Sequence, residues 1–129
     1  MSEKIQWTLS VQAEKGPKIS ASDTLTVDAY DKFDITVTTG TTKTLALQPS
    51  TDVTKIDLIL IKPDKPSDTL TYTINTKDPV TESITLDALQ LLMGGAVGLY
   101  GEAPTSLVFK NDSTNDVSIQ VLVGRIATS

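Results

Sequence analysis

The most regular feature of the chain is the alternation of apolar and polar residues with a period of two, which recurs from one end to the other. Phe33, Ile35 and Val37, for example, are separated by Asp34 and Thr36. Such alternation is typical of β-strands with one buried face and one solvated face. The pattern predicts short strands over the ranges 5–13, 25–29, 33–37, 45–47, 56–61, 70–74, 84–86, 107–109 and 117–123.

Turn-forming residues separate these ranges. Gly16 and Pro17 interrupt the pattern after the first strand, and the range 62–68 holds two prolines. The range 87–93 could form one helical turn or an extended segment, and it is the sole candidate for a helix. Eight or nine short strands without a long helix predict an all-β fold: a single-domain antiparallel β-sandwich spanning residues 1–129. Jelly-roll and immunoglobulin-like connectivity both remain open.

Three strands depart from the alternation because they are apolar on both faces, namely those that contain residues 58–61, 107–109 and 121–123. One interpretation is a central strand whose second face is covered by the segment 88–93 or by a long loop. The other is a strand that buries its second face against another subunit. The sequence leaves both open, and the second predicts a homo-oligomer.

The glycine-rich stretch 94–101 is unusually apolar for a connection. It lacks the spacing of a dinucleotide-binding fingerprint and the lysine of a phosphate-binding loop, so no nucleotide is expected. We predict instead that it forms a contact surface. Tyr30 follows the polar face of its strand and, with Tyr100, is the best candidate for an exposed aromatic anchor, although an ordinary strand-end tyrosine is the favoured interpretation. The predicted interface residues are therefore Leu92, Met93, Val97, Leu99, Tyr100 and Tyr30.

Composition and charge narrow the functions that the chain can perform. It contains no histidine and no cysteine, so the usual general base, soft metal ligands and thiolate nucleophile are missing. The net charge of −5 disfavours nucleic acid and anionic membranes as partners. We assign no catalytic residue, cofactor or metal ligand, and we expect no secretory signal and no membrane span. The polar loop 111–116 offers oxygen ligands for calcium, but Asn and Asp are common turn formers, and an ordinary turn is the favoured interpretation.

Two segments carry a resemblance to a known class of proteins. They are GPKISASDTLTVDAYDKFDITV (16–37) and GGAVGLYGEAPTSLVFKNDSTNDVSIQVLVGR (94–125), together less than half of the chain. In its predicted fold class and its composition the chain resembles the small β-sandwich cement, or decoration, proteins of tailed-bacteriophage capsids. The resemblance implies a virion structural protein made in the host cytoplasm, which forms a homo-oligomer, as a trimer in that family, and binds the major capsid protein. The alternative is a tail or surface recognition module that binds a glycan or a host protein.

Overall fold

The computed structural model describes residues 3–47, 54–74, 83–100 and 106–127. Nearly every described segment is extended, as the period-two pattern predicts. The strands are β1 (Glu3–Gln12), β2 (Lys18–Val27), β3 (Ala29–Val37), β4 (Thr42–Ala46), β5 (Thr54–Pro63), β6 (Leu70–Ile74), β7 (Ile84–Thr85), β8 (Gln90–Met93), β9 (Ser106–Asn111) and β10 (Val117–Ala127). A 3₁₀ helix, Gly94–Tyr100, follows β8.

Eight of these strands form two antiparallel four-stranded sheets packed against each other. The first sheet has the order β3-β10-β5-β8 and the second has the order β4-β9-β6-β7. The predicted all-β sandwich is therefore confirmed, with ten described strands instead of eight or nine. The additional strand is β8, because the segment 87–93 takes its extended alternative and pairs with β5.

The core lies between the two sheets and is built from the alternating apolar residues. In β10 the inward residues Val121 and Val123 are fully buried, and they face β5 partners that are buried too. In the second sheet Tyr72 and Phe109 are register partners, with ring centroids 5.8 Å apart. Aromatic pairs at this distance add to the stabilisation that burial alone provides. The period-two pattern therefore identifies the inward face of the central strands.

Strands β1 and β2 form a separate two-stranded sheet, here called the arm. Ten register pairs join them, from Glu3 with Val27 to Gln12 with Lys18. Trp7 alternates with polar neighbours, which puts it on the predicted buried face of the first strand, but the structure places it half-buried on the arm. The prediction of a buried face for the first strand is corrected accordingly, because most of that face lies outside the sandwich.

The base of the arm packs on the outer face of the first sheet. Gly124 makes this approach possible, since a Cβ at that position would lie 3.1 Å from Val27 Cγ1 and 3.2 Å from Ile5 Cδ1. Leu58, the register partner of Gly124, is buried although it faces away from the core. The arm thus covers the outer face of the two-sided strand β5 at Leu58, whereas segment 88–93 lies beside β5 and extends the sheet.

Candidate interaction surface

The arm has one largely apolar face, built by the odd-numbered residues of both strands and interrupted by Asp23 opposite Trp7. The register places Leu9 opposite Ala21 and Val11 opposite Ile19, so their side chains share a face. Exposure rises towards the tip of the arm, from 44% for Leu9 to 58% for Val11 and 71% for Ile19. Single exposed apolar residues are ordinary, but a contiguous apolar ribbon marks an interaction surface.

The opposite face of the arm is polar along its whole length. It carries Lys4, Gln6, Thr8, Ser10, Gln12, Lys18, Ser20, Ser22, Thr24 and Thr26. An amphipathic ribbon of this kind normally buries its apolar side against its own core. Here only the base does so: Val27 is buried and Leu25 half-buried, whereas all the residues from Thr8 to Thr24 are exposed. The distal apolar face is therefore available to another molecule.

Tyr30 lies on the outer face of the first sheet, where its register partner is Gly124. Its exposed fraction is 50%. The adjacent outward row contains Lys32, Leu122 and Leu60, of which the two leucines are half-buried. Tyr30 therefore presents an aromatic surface next to a cationic side chain, on the sheet that also supports the base of the arm.

Residues of β8 and of the 3₁₀ helix that follows it pack against the core. Val97 is 6% exposed and belongs to the core cluster, and Leu92 packs against that cluster. Met93 is half-buried and pairs in register with Leu58. Val97 is therefore a core residue and not the surface residue that the sequence predicts, whereas Leu92 and Met93 are half-buried, and their role in a contact surface stays a prediction. The side chains of Leu99 and Tyr100 lie outside the described part of the chain.

The backbone in this region explains why the sequence suggested a loop. Gly94 adopts a φ of 59°, which favours glycine, and it ends strand β8. A 3₁₀ helix follows, and its shape brings Val97 back towards the sandwich. Glycine-rich composition indicated a connection but could not show that its apolar residues fold inward.

The loop 111–116 is organised by the fully buried side chain of Asn111. Its Nδ2 donates to the carbonyl oxygens of Val37 and Asn115, both at 2.8 Å. Its Oδ1 accepts from the Ser113 N–H at 3.0 Å and from the Ser113 hydroxyl at 2.5 Å. Asp116 accepts from the Thr39 N–H at 2.9 Å. These oxygens are already used in hydrogen bonds that shape the turn, which accounts for the polar composition of the loop.

The acids elsewhere in the described segments do not converge. No group of three or more acidic side chains there is placed to hold a metal ion. Asp31 instead forms an ion pair with Arg125, with its Oδ2 2.5 Å from Nη2.

Within the same segments no helix is long and apolar enough to cross a membrane.

Comparison with known proteins adds no relative from which a role could be transferred. No family model matches the chain, and no curated protein or solved structure matches it. A function must therefore be inferred from the geometry of the arm and of the first sheet. Sequence reasoning missed Leu9, Val11 and Ile19 as surface residues, and the available signal was a pair of long, Ser/Thr-rich strands around the turn at Gly16 and Pro17.

Proposed function

We propose that this chain is a non-enzymatic virion structural protein that decorates a capsid and binds its lattice through the apolar face of the arm. The observation that carries this proposal is the exposure of Leu9, Val11 and Ile19 on one face of a projecting ribbon. Docking that face on another protein removes apolar surface from water, which is the main source of affinity in protein association.

The proposed partner is the major capsid protein or another protein of the virion. A single arm offers a small contact, but lattice symmetry repeats it many times over the shell. Multivalent attachment of this kind gives strong binding from modest individual contacts. The net charge of −5 supports a protein partner over nucleic acid. The place of action under this proposal is the capsid surface, after synthesis in the host cytoplasm.

Two observations support a role without catalysis. The chain has neither histidine nor cysteine. In the described segments several acids are engaged in structural contacts: Asp34 pairs with Lys32 at 3.6 Å, Asp31 pairs with Arg125, and Asp116 accepts a hydrogen bond from the Thr39 N–H. The arrangement is suited to folding and contact rather than to acid–base chemistry.

The test compares two lysine substitutions at adjacent positions of β2. Ile19→Lys places a charge on the apolar face, whereas Ser20→Lys places the same charge on the polar face of the same strand. Both variants and the wild-type protein are mixed with gradient-purified virus particles that lack the protein, and bound protein is quantified after sedimentation. We expect Ile19→Lys to abolish binding and Ser20→Lys to retain it. Equal binding by both variants, or no binding by the wild-type protein, would contradict the proposal.

Tyr30 favours a second candidate, a recognition module for a glycan or a host protein. Its half-exposed ring next to Lys32 is the kind of surface on which a sugar ring stacks. A glycan array probed with the wild-type protein and with Tyr30→Ala separates the two functions. Binding that disappears in the variant supports recognition, and an array without signal favours the structural role.

A further inference from the structure

The arm has two open edges, because β1 and β2 pair only with each other among the described strands. The Ala13 N–H donates to the Pro17 carbonyl at 3.1 Å, which fixes the direction of the backbone groups at the tip of β1. Antiparallel pairing alternates, so the odd-numbered residues of β1 direct their N–H and C=O groups to β2. The even-numbered residues direct theirs away from the arm: Lys4, Gln6, Thr8, Ser10 and Gln12.

We propose that β1 of one copy pairs antiparallel with β1 of a second copy, about a two-fold axis at Thr8. In this register Trp7 lies opposite Leu9 of the second copy, and Ile5 lies opposite Val11. Lys4 lies opposite Gln12, so no like charges meet. The outward N–H and C=O groups of the five even-numbered residues would then all be paired, which completes the edge. This self-association does not depend on the proposed shell partner.

The sequence of β1 selects this register over its neighbours. A shift by one residue would put the apolar face of one copy beside the polar face of the other. Centring the axis on Trp7 would place Glu3 opposite Val11, a charge against an apolar side chain. Centring it on Leu9 would leave Ile5 without a partner inside the strand. The Thr8 register alone matches nine consecutive rows with apolar residues opposite apolar ones and polar residues opposite polar ones.

The edge of β2 is a poorer choice for the same contact. Its last residue, Val27, is buried against the first sheet, so the base of this strand is occupied. Its middle carries Asp23 on the apolar face, which self-pairing would place opposite Ala21 or opposite a second carboxylate. The outer edge of β1 carries no acid between Lys4 and Gln12. The composition of the two strands therefore directs self-pairing to β1.

Stability also favours pairing with a second copy. A two-stranded ribbon is marginally stable by itself. Joining two arms at β1 would turn two such ribbons into one four-stranded sheet with the apolar faces of both copies on the same side.

Single cysteines test the pairing, because the chain has none of its own. Thr8→Cys would bring two thiols together across the axis, where Cα atoms of a hydrogen-bonded pair lie about 5.5 Å apart and a disulfide fits. Ser22→Cys is the matched control, since Ser22 is the register partner of Thr8 and faces the other edge. Under mild oxidation we expect a covalent dimer from Thr8→Cys and none from Ser22→Cys. Equal cross-linking of both variants, or of neither, would overturn the proposal.

Proline substitutions supply the second measurement. Thr8→Pro removes an outward N–H and leaves the β1–β2 ladder intact, and Ser22→Pro does the same at the opposite edge. In sedimentation velocity we expect the wild-type protein and Ser22→Pro at twice the 13.8 kDa chain mass. The dimer dissociation constant should rise at least about tenfold for Thr8→Pro. A wild-type monomer or a three-fold particle would overturn the pairing, and neither result depends on binding to virus particles.

Discussion

Tyr72 and Gln90 connect the two sheets of the sandwich. The Tyr72 hydroxyl donates a hydrogen bond to Gln90 Oε1 at 2.6 Å, although Tyr72 belongs to β6 of the second sheet and Gln90 to β8 of the first. The Gln90 amide nitrogen in turn donates to the Thr85 carbonyl in β7 at 2.9 Å. One side chain therefore joins the two edge strands β7 and β8 to the buried ring of Tyr72. A partly buried polar link of this kind helps to fix which edge strand faces which.

Removing the hydroxyl tests the strength of this link. Tyr72→Phe keeps the ring packed on Phe109 and leaves Gln90 Oε1 without this donor, so we expect a loss of about 1–2 kcal/mol in the free energy of unfolding. Urea unfolding provides the measurement. In the double variant Tyr72→Phe/Gln90→Leu the loss should be smaller than the sum of the two single losses. Strict additivity would show that the two side chains are not coupled.

A methyl group at position 124 tests how the base of the arm packs on the first sheet. Gly124→Ala places a Cβ 3.1 Å from Val27 Cγ1 and 3.2 Å from Ile5 Cδ1, which forces the base of the arm outward by a few tenths of an ångström. We expect a destabilisation of about 1–2 kcal/mol from this crowding and a red shift in the emission of Trp7. Gly95→Ala is the control, since no atom lies within 4 Å of its added Cβ. An unchanged Trp7 spectrum would show that the position of the arm does not depend on the contact with Gly124.

Asn111 is expected to dominate the stability of the polar turn. Asn111→Ala removes two donated and two accepted hydrogen bonds from a fully buried site. We predict a loss of about 2–4 kcal/mol, because the Val37 carbonyl is left without this donor and a cavity opens. Thermal and urea unfolding measure the change. Thr114→Ala, an exposed substitution in the same loop, should fall within about 0.5 kcal/mol of the wild-type protein.

The same geometry makes a prediction about calcium. The Asn111 oxygen accepts from Ser113, Asp116 accepts from Thr39, and Asp112 lies 3.6 Å from Lys110 Nζ. Calcium needs six to eight oxygen ligands, and these oxygens are already used. The melting temperature should therefore be the same in millimolar calcium and in EDTA. A rise of several degrees in calcium would show that the loop rearranges into a cation site.

The alternation along the chain predicted the inward faces of the central strands, but it did not predict whether every apolar face is buried. The same period-two pattern runs through Ile35 and through Leu9, yet the first packs against the core and the second is exposed. Periodicity tells which residues share a face, and it does not tell what covers that face. Leu9 differs because its strand pairs with a single neighbour among the described strands and reaches beyond the sandwich.

Long-range contacts limited the prediction of the candidate site in another way. Val97 stands among glycines that indicate a surface connection, yet the 3₁₀ helix that follows β8 brings it into the core. Leu58 is outward-facing and still buried, because Gly124 on the neighbouring strand leaves room for the arm. Both outcomes depend on strand neighbours distant in sequence, which local pattern does not specify.

The ion pair of Asp31 and Arg125 gives the last prediction. Arg125 is the only arginine of the chain, and its side chain is 14% exposed, with Nη2 2.5 Å from Asp31 Oδ2. Its Nε has no hydrogen-bond partner among the described residues, so the carboxylate of Asp31 carries much of the compensation for the buried charge.

Asp31→Asn should therefore cost about 2–4 kcal/mol in the free energy of unfolding. Arg125→Met should cost less, because Asp31 is more exposed and can be hydrated. Combining the two substitutions should recover part of the loss seen for Asp31→Asn alone, as measured by urea unfolding at neutral pH. A double variant as unstable as the sum of both single variants would show that the pair is not coupled.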